Sequence, residues 1–196
     1  MEKLLTIVVP AYNVEKYIKN CLDSLIEISV LRSLEILVVN DGSTDRTPQI
    51  AKTYENKYPY SIKVLSKENG GHGSAINYAI PRATGKYFKV LDGDDWVDKS
   101  QLPKFVELLR HTHSDMISND FNLVDDRTMK VTKRRKAASN SYHYNREWGF
   151  AEAVMDPLVT IHSMTIRTDI LQKNDIRVDE HCFYEDQEYI LYPIPY

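Results

Sequence analysis

Cysteine is scarce in this sequence, with only Cys21 and Cys182 among 196 residues. Two cysteines cannot form the disulfide framework of a small secreted protein, and such a low number is typical of a reducing cytosol. No apolar run approaches the roughly 20 residues that a membrane-spanning helix needs. The apolar N-terminal segment is short and ends at Pro10 without a signal-peptide cleavage pattern. We therefore expect a cytoplasmic protein.

A net positive charge is also missing, because 25 basic residues face 28 acidic ones and the formal net charge is −3. The overall charge gives no reason to expect a nucleic-acid partner. Basic residues concentrate in one stretch, and its members are Arg127, Lys130, Lys133, Arg134, Arg135 and Lys136. A solvated loop or a hairpin edge is the usual explanation of such a stretch. The alternative is contact with anionic phospholipid or with a pyrophosphate-bearing acceptor.

The first hundred residues alternate between strand-like and helical patterns. Segments rich in Val, Ile and Leu predict strands at 4–9, 35–40, 61–66 and 86–91. Apolar residues at helical spacing predict helices at 14–28, 45–58 and 74–83. This order predicts an α/β fold, with a Rossmann-like, mostly parallel central sheet and flanking helices.

The second half has a less regular pattern. The predicted elements are a helix at 100–111, a strand at 115–119, a helix at 146–155, a strand at 158–166 and a helix at 168–174 capped by Thr168. A chain of 196 residues has the length of one domain. We divide it into two halves, about 1–98 and about 99–196.

Polar clusters follow all four predicted strands of the first half. They are Pro-Ala-Tyr-Asn at 10–13, Asn-Asp-Gly-Ser-Thr-Asp at 40–45, Asn-Gly-Gly-His-Gly at 69–73 and Asp-Gly-Asp-Asp at 92–95. The carboxyl ends of parallel strands lie on one edge of the sheet, which is where α/β folds bind ligands. The four clusters are therefore expected to converge into one site.

The cluster at 92–95 carries the strongest chemical signal, because Asp92, Asp94 and Asp95 lie within four positions. Carboxylates this close raise one another's pKa unless a positive charge lies between them. A hard divalent cation with oxygen ligands is the usual solution. The spacing is not that of an EF-hand, since Pro103 occupies the position of the closing glutamate.

The other clusters also have purely structural explanations. The stretch at 40–45 is compatible with a turn in which Asp45 caps a helix. The glycines at 70–73 are compatible with a flexible loop, although glycines before a helix also free N–H groups for phosphate oxygens. His72 has no acid beside it in sequence and is a weak candidate alone. The acids at 183–188 suit either a general base or the first turn of a helix.

Taken together and in this order, these clusters resemble the motifs of inverting family 2 glycosyltransferases, which have the GT-A fold. The matching segments are 8–15, 38–45, 70–77, 91–95 and 184–186. The resemblance covers residues 4 to about 192. It implies a nucleotide-sugar donor, most often a uridine diphosphate sugar, and a Mg²⁺ or Mn²⁺ cofactor.

The resemblance also implies a role for each matching residue. Tyr12 packs on the base and Asp41 hydrogen-bonds it, while Asp92 approaches the ribose. Asp94 binds the metal with support from Asp95, and Asp186 is the general base with Glu185 beside it. The remaining members of the nucleotide-sugar pocket are Pro10, Ala11, Asn13, Gly71, His72 and Gly93.

The implied chemistry is a single displacement that inverts the anomeric carbon. A metal neutralises the diphosphate leaving group, and a carboxylate takes the proton of the acceptor hydroxyl. The resemblance implies a carbohydrate or lipid-linked acceptor in cell-surface polysaccharide or glycolipid synthesis, with peripheral contact at the inner membrane face. The Gln-x-x-Arg-Trp motif of processive members is missing, so we expect single-sugar transfer. About ten residues follow Asp186, so we expect part of the acceptor side beyond residue 196.

Three other functions were weighed. A dinucleotide-dependent dehydrogenase needs Gly-x-Gly-x-x-Gly after the first strand, where this chain has Pro10 to Asn13. A sugar-phosphate nucleotidyltransferase needs a glycine-rich, basic loop near the N-terminus, which is also missing. A non-catalytic nucleotide-sugar-binding module, or an inactive fragment of such an enzyme, stays open as the alternative. Nothing in the sequence indicates an oligomeric state.

Overall fold

The computed structural model describes residues 3–136, 144, 146–149, 152, 159–182 and 184–196. The described residues form one six-stranded sheet and one two-stranded hairpin. The strand order in the sheet is Ile62–Lys67, Leu34–Asp41, Leu5–Ala11, Tyr87–Val90, Met164–Arg167 and Met116–Ser118. The first four strands are parallel, and the last two are antiparallel to their neighbours. This mostly parallel α/β architecture confirms the predicted fold class.

The four parallel strands lie close to their predicted positions. They are β1 (Leu5–Ala11), β2 (Leu34–Asp41), β3 (Ile62–Lys67) and β4 (Tyr87–Val90). Every residue of β1, β2 and β4 is buried, as the continuous apolar runs indicate for strands covered on both faces. These strands therefore fix one common edge at their carboxyl ends.

Helices cover both faces of the sheet. They are α1 (Ile18–Leu25), α2 (Thr47–Lys57), α3 (His72–Ala79), α4 (Leu102–His111), α5 (Thr168–Lys173) and α6 (Glu185–Leu191). One apolar core joins one face to α1, α2 and α4 and contains Cys21. The other core joins the opposite face to α3, α5 and α6. No helix in the described part of the chain is long and apolar enough to span a bilayer.

Several helix boundaries differ from the predicted ones. Helix α1 begins at Ile18 rather than at 14, because residues 15–17 form a turn closed by the carbonyl of Val14. Helix α3 begins two residues early, at His72, and gives way at residue 80 to a 3-10 turn that contains Pro81. The prediction that Thr168 caps α5 is wrong, since its hydroxyl donates to the carbonyl of Gly85 at 2.6 Å.

The second half contributes β5 (Met116–Ser118), β6 (Phe121–Asp125), β7 (Lys130–Arg135) and β8 (Met164–Arg167). Strand β8 is shorter than its predicted range, because residues 161–163 form a turn before it. Strands β6 and β7 pair as a hairpin, which confirms that the basic stretch is a hairpin edge. The predicted helix at 146–155 falls largely outside the described residues, and its described residues 146–149 are not helical.

Candidate functional site

Loops from three strands are bonded to one another at the carboxyl edge of the parallel sheet. The backbone N–H of Gly93 donates to the carbonyl of Pro10 at 3.1 Å. The side-chain oxygen of Asn13 accepts the N–H of Thr44 at 2.8 Å, and Ser43 Oγ accepts the N–H of Asn13 at 3.1 Å. The clusters after β1, β2 and β4 therefore meet in space.

The end of β1 presents an aromatic ring at this edge. Pro10 and Ala11 are buried, whereas Tyr12 is 52% exposed and follows them directly. Asn13 has a φ of 53°, in the left-handed region, and this turns the chain away from the strand. An accessible ring between buried backbone and a sharp turn is suited to stacking on a planar ligand.

Asp41 is buried at the end of β2 and organises the glycine loop. Its carboxylate accepts the N–H of Gly70 at 3.0 Å and that of Gly71 at 2.8 Å. Lys67 Nζ donates to the same carboxylate at 2.8 Å, and Asn69 Nδ2 does so at 3.2 Å. The protein itself thus supplies several hydrogen-bond donors to Asp41, the residue that the resemblance predicts to hydrogen-bond the nucleobase.

The glycine loop between β3 and α3 passes close to another segment. Gly71 has a φ of 87°, which favours glycine, and the carbonyl of Gly70 accepts the N–H of His181 at 3.0 Å. A Cβ on Gly73 would overlap the carbonyl oxygen of Asp179. The loop therefore joins the strand edge to the segment that leads into α6.

His72, the first residue of α3, joins two acids from distant parts of the chain. Its Nε2 lies 2.8 Å from Asp92 Oδ1, and its Nδ1 lies 2.9 Å from Glu185 Oε1. A neutral imidazole has one N–H and can donate to one carboxylate. Only the protonated ring, which has two N–H groups, donates to both. Burial lowers the pKa of His72, but the two acids outweigh it and the pKa is raised overall. His72 thus links the acidic strand end to α6.

Asp92 forms a second cluster with Asp95 and His162. One ligand atom from each residue lies within 4.8 Å of the other two. The Nδ1 of His162 is 3.7 Å from Asp92 Oδ2 and 3.6 Å from Asp95 Oδ2. Desolvation and the charge of Asp92 raise the pKa of Asp95. Two carboxylates and an imidazole form a donor set that fits a divalent cation such as Mn²⁺.

The structure distributes the predicted acids differently from the sequence interpretation. Asp94, the residue predicted to bind the metal, is exposed and does not belong to this cluster. His162 does belong to it, although no sequence motif marks this residue. It lies in the turn before β8, and β8 runs antiparallel to β4, so the start of β8 reaches the end of β4. The position of His162 beside Asp92 follows from the antiparallel direction of β8, which the sequence pattern does not indicate.

Helix α6 carries three acids, Glu185, Asp186 and Glu188, and Glu188 accepts the N–H of Asp179 at 2.7 Å. Glu185 is buried and held by His72, at the start of a helix preceded by Tyr184 with a left-handed φ of 71°. Asp186 is half-buried, and within the described residues its carboxylate has one contact, with Gln187 Nε2 at 3.5 Å. Asp186 is therefore more accessible to a proton-donating hydroxyl than Glu185. Phe183, from the same predicted cluster, lies outside the described residues.

Lys89 is a buried cation that the sequence analysis did not single out. Its Nζ donates to Asn119 Oδ1 at 3.1 Å, to the carbonyl of His162 at 3.0 Å and to that of Met164 at 3.3 Å. Burial lowers its pKa from the ordinary 10.5 to about 8. Lys89 thus fixes the turn that carries His162.

We expect this burial to make stability depend on pH. Between pH 8 and pH 10.5, Lys89 is mostly protonated in the unfolded chain, where its pKa is the ordinary 10.5, and mostly deprotonated in the folded chain. The unfolded chain therefore binds more protons, and the free energy of unfolding rises with pH over this range. Lys89→Met removes that rise. The difference in unfolding free energy between wild type and variant therefore changes by about 3 kcal/mol from pH 7 to pH 10.5. Urea unfolding across this range measures it. Lys57→Met, an exposed lysine on α2, is the control; identical pH dependence in wild type and Lys89→Met would contradict the argument.

Comparison with protein families gives one match along most of the chain. The family described as Glycosyl transferase family 2 matches residues 6–173. The glycosyltransferase EpsJ of Bacillus subtilis is 39% identical over 121 residues, which are 62% of this chain and 35% of EpsJ. The minor teichoic acid biosynthesis protein GgaB of the same organism is 29% identical over 183 residues, covering 90% of this chain and 19% of GgaB.

Solved structures give a consistent comparison. The poly(ribitol-phosphate) beta-N-acetylglucosaminyltransferase TarS of Staphylococcus aureus, crystallised with UDP-GlcNAc, superposes with a TM-score of 0.67 at 26% identity. The superposition covers 94% of this chain and 51% of the TarS chain. The chain thus spans about half of that structure, and 35% or less of EpsJ and GgaB.

Proposed function

The chain belongs to glycosyl transferase family 2, and on that basis we propose that it transfers a sugar from a UDP-sugar donor to an acceptor hydroxyl with inversion. The observation that carries the proposal is a series of contacts at the carboxyl edge of the sheet, in which His72 joins Asp92 to Glu185 and Gly93 bonds to Pro10. These contacts connect the segments that carry three groups: the exposed ring of Tyr12, the carboxylate–imidazole cluster of Asp92, Asp95 and His162, and the half-buried carboxylate of Asp186. Base binding, diphosphate stabilisation and proton removal each need one of them.

Donor binding begins with the nucleoside in this proposal. Tyr12 stacks on the uracil, since its ring is the accessible aromatic surface after β1. Asp41 contributes through the loop it organises, because its bonds fix the N–H groups of Gly70 and Gly71. A structure of TarS, similar to this chain along 94% of its length, contains UDP-GlcNAc, which supports a uridine nucleotide.

A divalent cation is proposed at Asp92, Asp95 and His162, with Asp94 close by in sequence. When bound, such a cation neutralises the charge that the diphosphate gains as the glycosidic bond breaks. The imidazole favours Mn²⁺ over Mg²⁺, because Mg²⁺ prefers a shell of oxygen atoms alone. Asp92 orients the cluster through its second oxygen, which His72 holds at 2.8 Å.

Proton removal from the acceptor is proposed for Asp186. A hydroxyl is a poor nucleophile until a carboxylate accepts its proton, and attack on the face opposite the leaving group inverts the anomeric carbon. Glu185 is less suited to this role, because its side chain is buried and one of its carboxylate oxygens bonds to His72. The proposed role of Glu185 is to hold the start of α6 against His72, at the start of α3.

The wider biological setting follows from the same premise. We propose an acceptor in cell-surface polysaccharide or glycolipid synthesis, in keeping with the relatives TarS, a poly(ribitol-phosphate) beta-N-acetylglucosaminyltransferase, and GgaB, a minor teichoic acid biosynthesis protein. We also propose cytoplasmic localisation with peripheral contact at the inner membrane face. The single domain then divides into a donor half at 1–98 and an acceptor half at 99–196.

A donor panel tests the proposed reaction. The protein with Mn²⁺ is incubated with UDP-glucose, UDP-galactose, UDP-GlcNAc or UDP-GalNAc and with sugar and polyol-phosphate acceptors, and UDP release is measured. We expect one donor to be favoured, and the anomeric proton coupling of the product to indicate a β linkage from the α-linked donor. An α-linked product would exclude inversion, and binding without transfer for any donor would favour the non-catalytic module.

A further inference from the structure

The hairpin of β6 and β7 lies along the candidate site rather than away from it. At the start of β6, the ring of Phe121 packs on His162 with 5.5 Å between ring centroids. Just past its end, Asp126 Oδ2 accepts the hydroxyl of Tyr17 at 3.1 Å, close to the loop after β1. Contacts at both ends of β6 therefore hold the hairpin beside the edge of the sheet.

A β-bulge gathers the basic residues of β7 on one face. Lys130, Lys133 and Arg135 pair with Asp125, Leu123 and Phe121, and the register shifts between Leu123 and Val124. Alternate residues of β6 share a face, and directly opposed residues point to the same side. Without the bulge, the odd spacing of Lys130 and Lys133 would place them on opposite faces. The three cations instead share the face of Phe121, which contacts the site.

These three cations, called here the basic row, are exposed, and Asp125, opposite Lys130, is the acid that the described pairing places beside them. Within the described part of the chain, none of the three forms an ion pair within 4.0 Å. Arg134, on the other face, pairs with Asp120 at 2.9 Å. Between 120 and 136 there are six basic and three acidic residues, in a chain whose net charge is −3. Lys133 and Arg135 lie opposite Leu123 and Phe121, so neither gains a cross-strand charge pair that would stabilise the hairpin. The basic row therefore fits a role in binding an anion.

We propose that the basic row binds an acceptor polymer with repeating phosphodiester groups and directs it to the edge of the sheet. Paired positions along this face advance by about 7 Å, so the row extends roughly 14 Å from the Phe121 end. A row of this length suits repeated charges along a chain better than a single head group. The inference deepens the proposed function and rests on it, since it identifies the acceptor of the same site.

Neutralising the basic row tests this inference. The triple variant Lys130→Gln, Lys133→Gln and Arg135→Gln is compared with wild type for binding a synthetic poly(glycerol phosphate) oligomer. The control carries Lys52→Gln, Lys57→Gln and Lys104→Gln, the same charge change at exposed positions on α2 and α4. We expect the triple variant to bind at least about tenfold more weakly, with a log–log salt slope shallower by about two. The control should bind like wild type.

Equal binding by wild type and triple variant would overturn the inference. So would binding of phosphatidylglycerol vesicles without binding of the oligomer, because the row would then serve a membrane surface. A parallel UDP titration separates this inference from the proposed function. If the protein binds UDP but not the oligomer, the acceptor assignment is wrong and the proposed donor stands. If it binds the oligomer but not UDP, the proposed donor is wrong and the basic row is a phosphate-binding surface.

Discussion

Asp186→Asn is expected to lower the rate of sugar transfer by about 10²–10⁴-fold while donor binding stays unchanged. The amide has nearly the shape of the carboxylate but cannot accept the proton of the acceptor hydroxyl. Asp186 does not belong to the Asp92 cluster, so UDP and metal binding have no reason to change. The rate is measured by UDP release with the favoured donor, and donor affinity by calorimetry.

Gln187→Ala is the matched control for this variant. It removes the described contact to Asp186, at 3.5 Å, and keeps the carboxylate itself. Its transfer rate should therefore stay close to that of wild type. If Asp186→Asn transfers sugar at the wild-type rate, Asp186 is not the base and another group must accept the proton.

The second large effect is expected at Asp92. Asp92→Asn should weaken metal-dependent UDP binding by at least about a hundredfold, because it removes a charged oxygen from the cluster. It also weakens the contact with His72, whose positive charge lowers the pKa of Asp92 against the effect of burial. Calorimetric titration of UDP with Mn²⁺ measures the loss. Asp98→Asn, a change at an exposed acid outside the cluster, should leave the affinity unchanged.

Two further variants decide which residues hold the metal. His162→Ala should weaken Mn²⁺-dependent UDP binding if the cluster in the structure is the site. Asp94→Ala should weaken it strongly if the sequence-based assignment is right, with Asp94 as the principal ligand. An affinity for UDP that is unaffected by Asp92→Asn and His162→Ala would contradict a metal at this cluster.

The parallel half of the fold could be predicted from the sequence because three of its four strands, β1, β2 and β4, are buried on both faces. Such strands appear as continuous apolar runs, and the runs that became β1 and β2 gave nearly correct boundaries. The meeting of the polar clusters followed from the shared direction of the strands. The exact ends of the helices were not predictable, because they depend on single hydrogen bonds such as those to the carbonyl of Val14 before α1.

The connections within the site were much less visible. His72 and Glu185 are separated by 113 positions, and no local pattern brings them together. His162 lies in a stretch interpreted as a strand, and its position depends on the antiparallel direction of β8. The acids that the sequence grouped by proximity also divided by environment, since Asp92 is engaged by His72 and Asp94 is exposed.

We claim a metal-dependent nucleotide-sugar site at the carboxyl edge of the sheet, and a UDP titration with and without metal decides whether it exists. UDP is titrated into the wild-type protein with Mn²⁺, and again after the metal is removed by chelation. We predict saturable binding with Mn²⁺ that weakens by at least about tenfold without it. A response to NADH with none to UDP, or UDP binding of equal strength with and without metal, would contradict the claim.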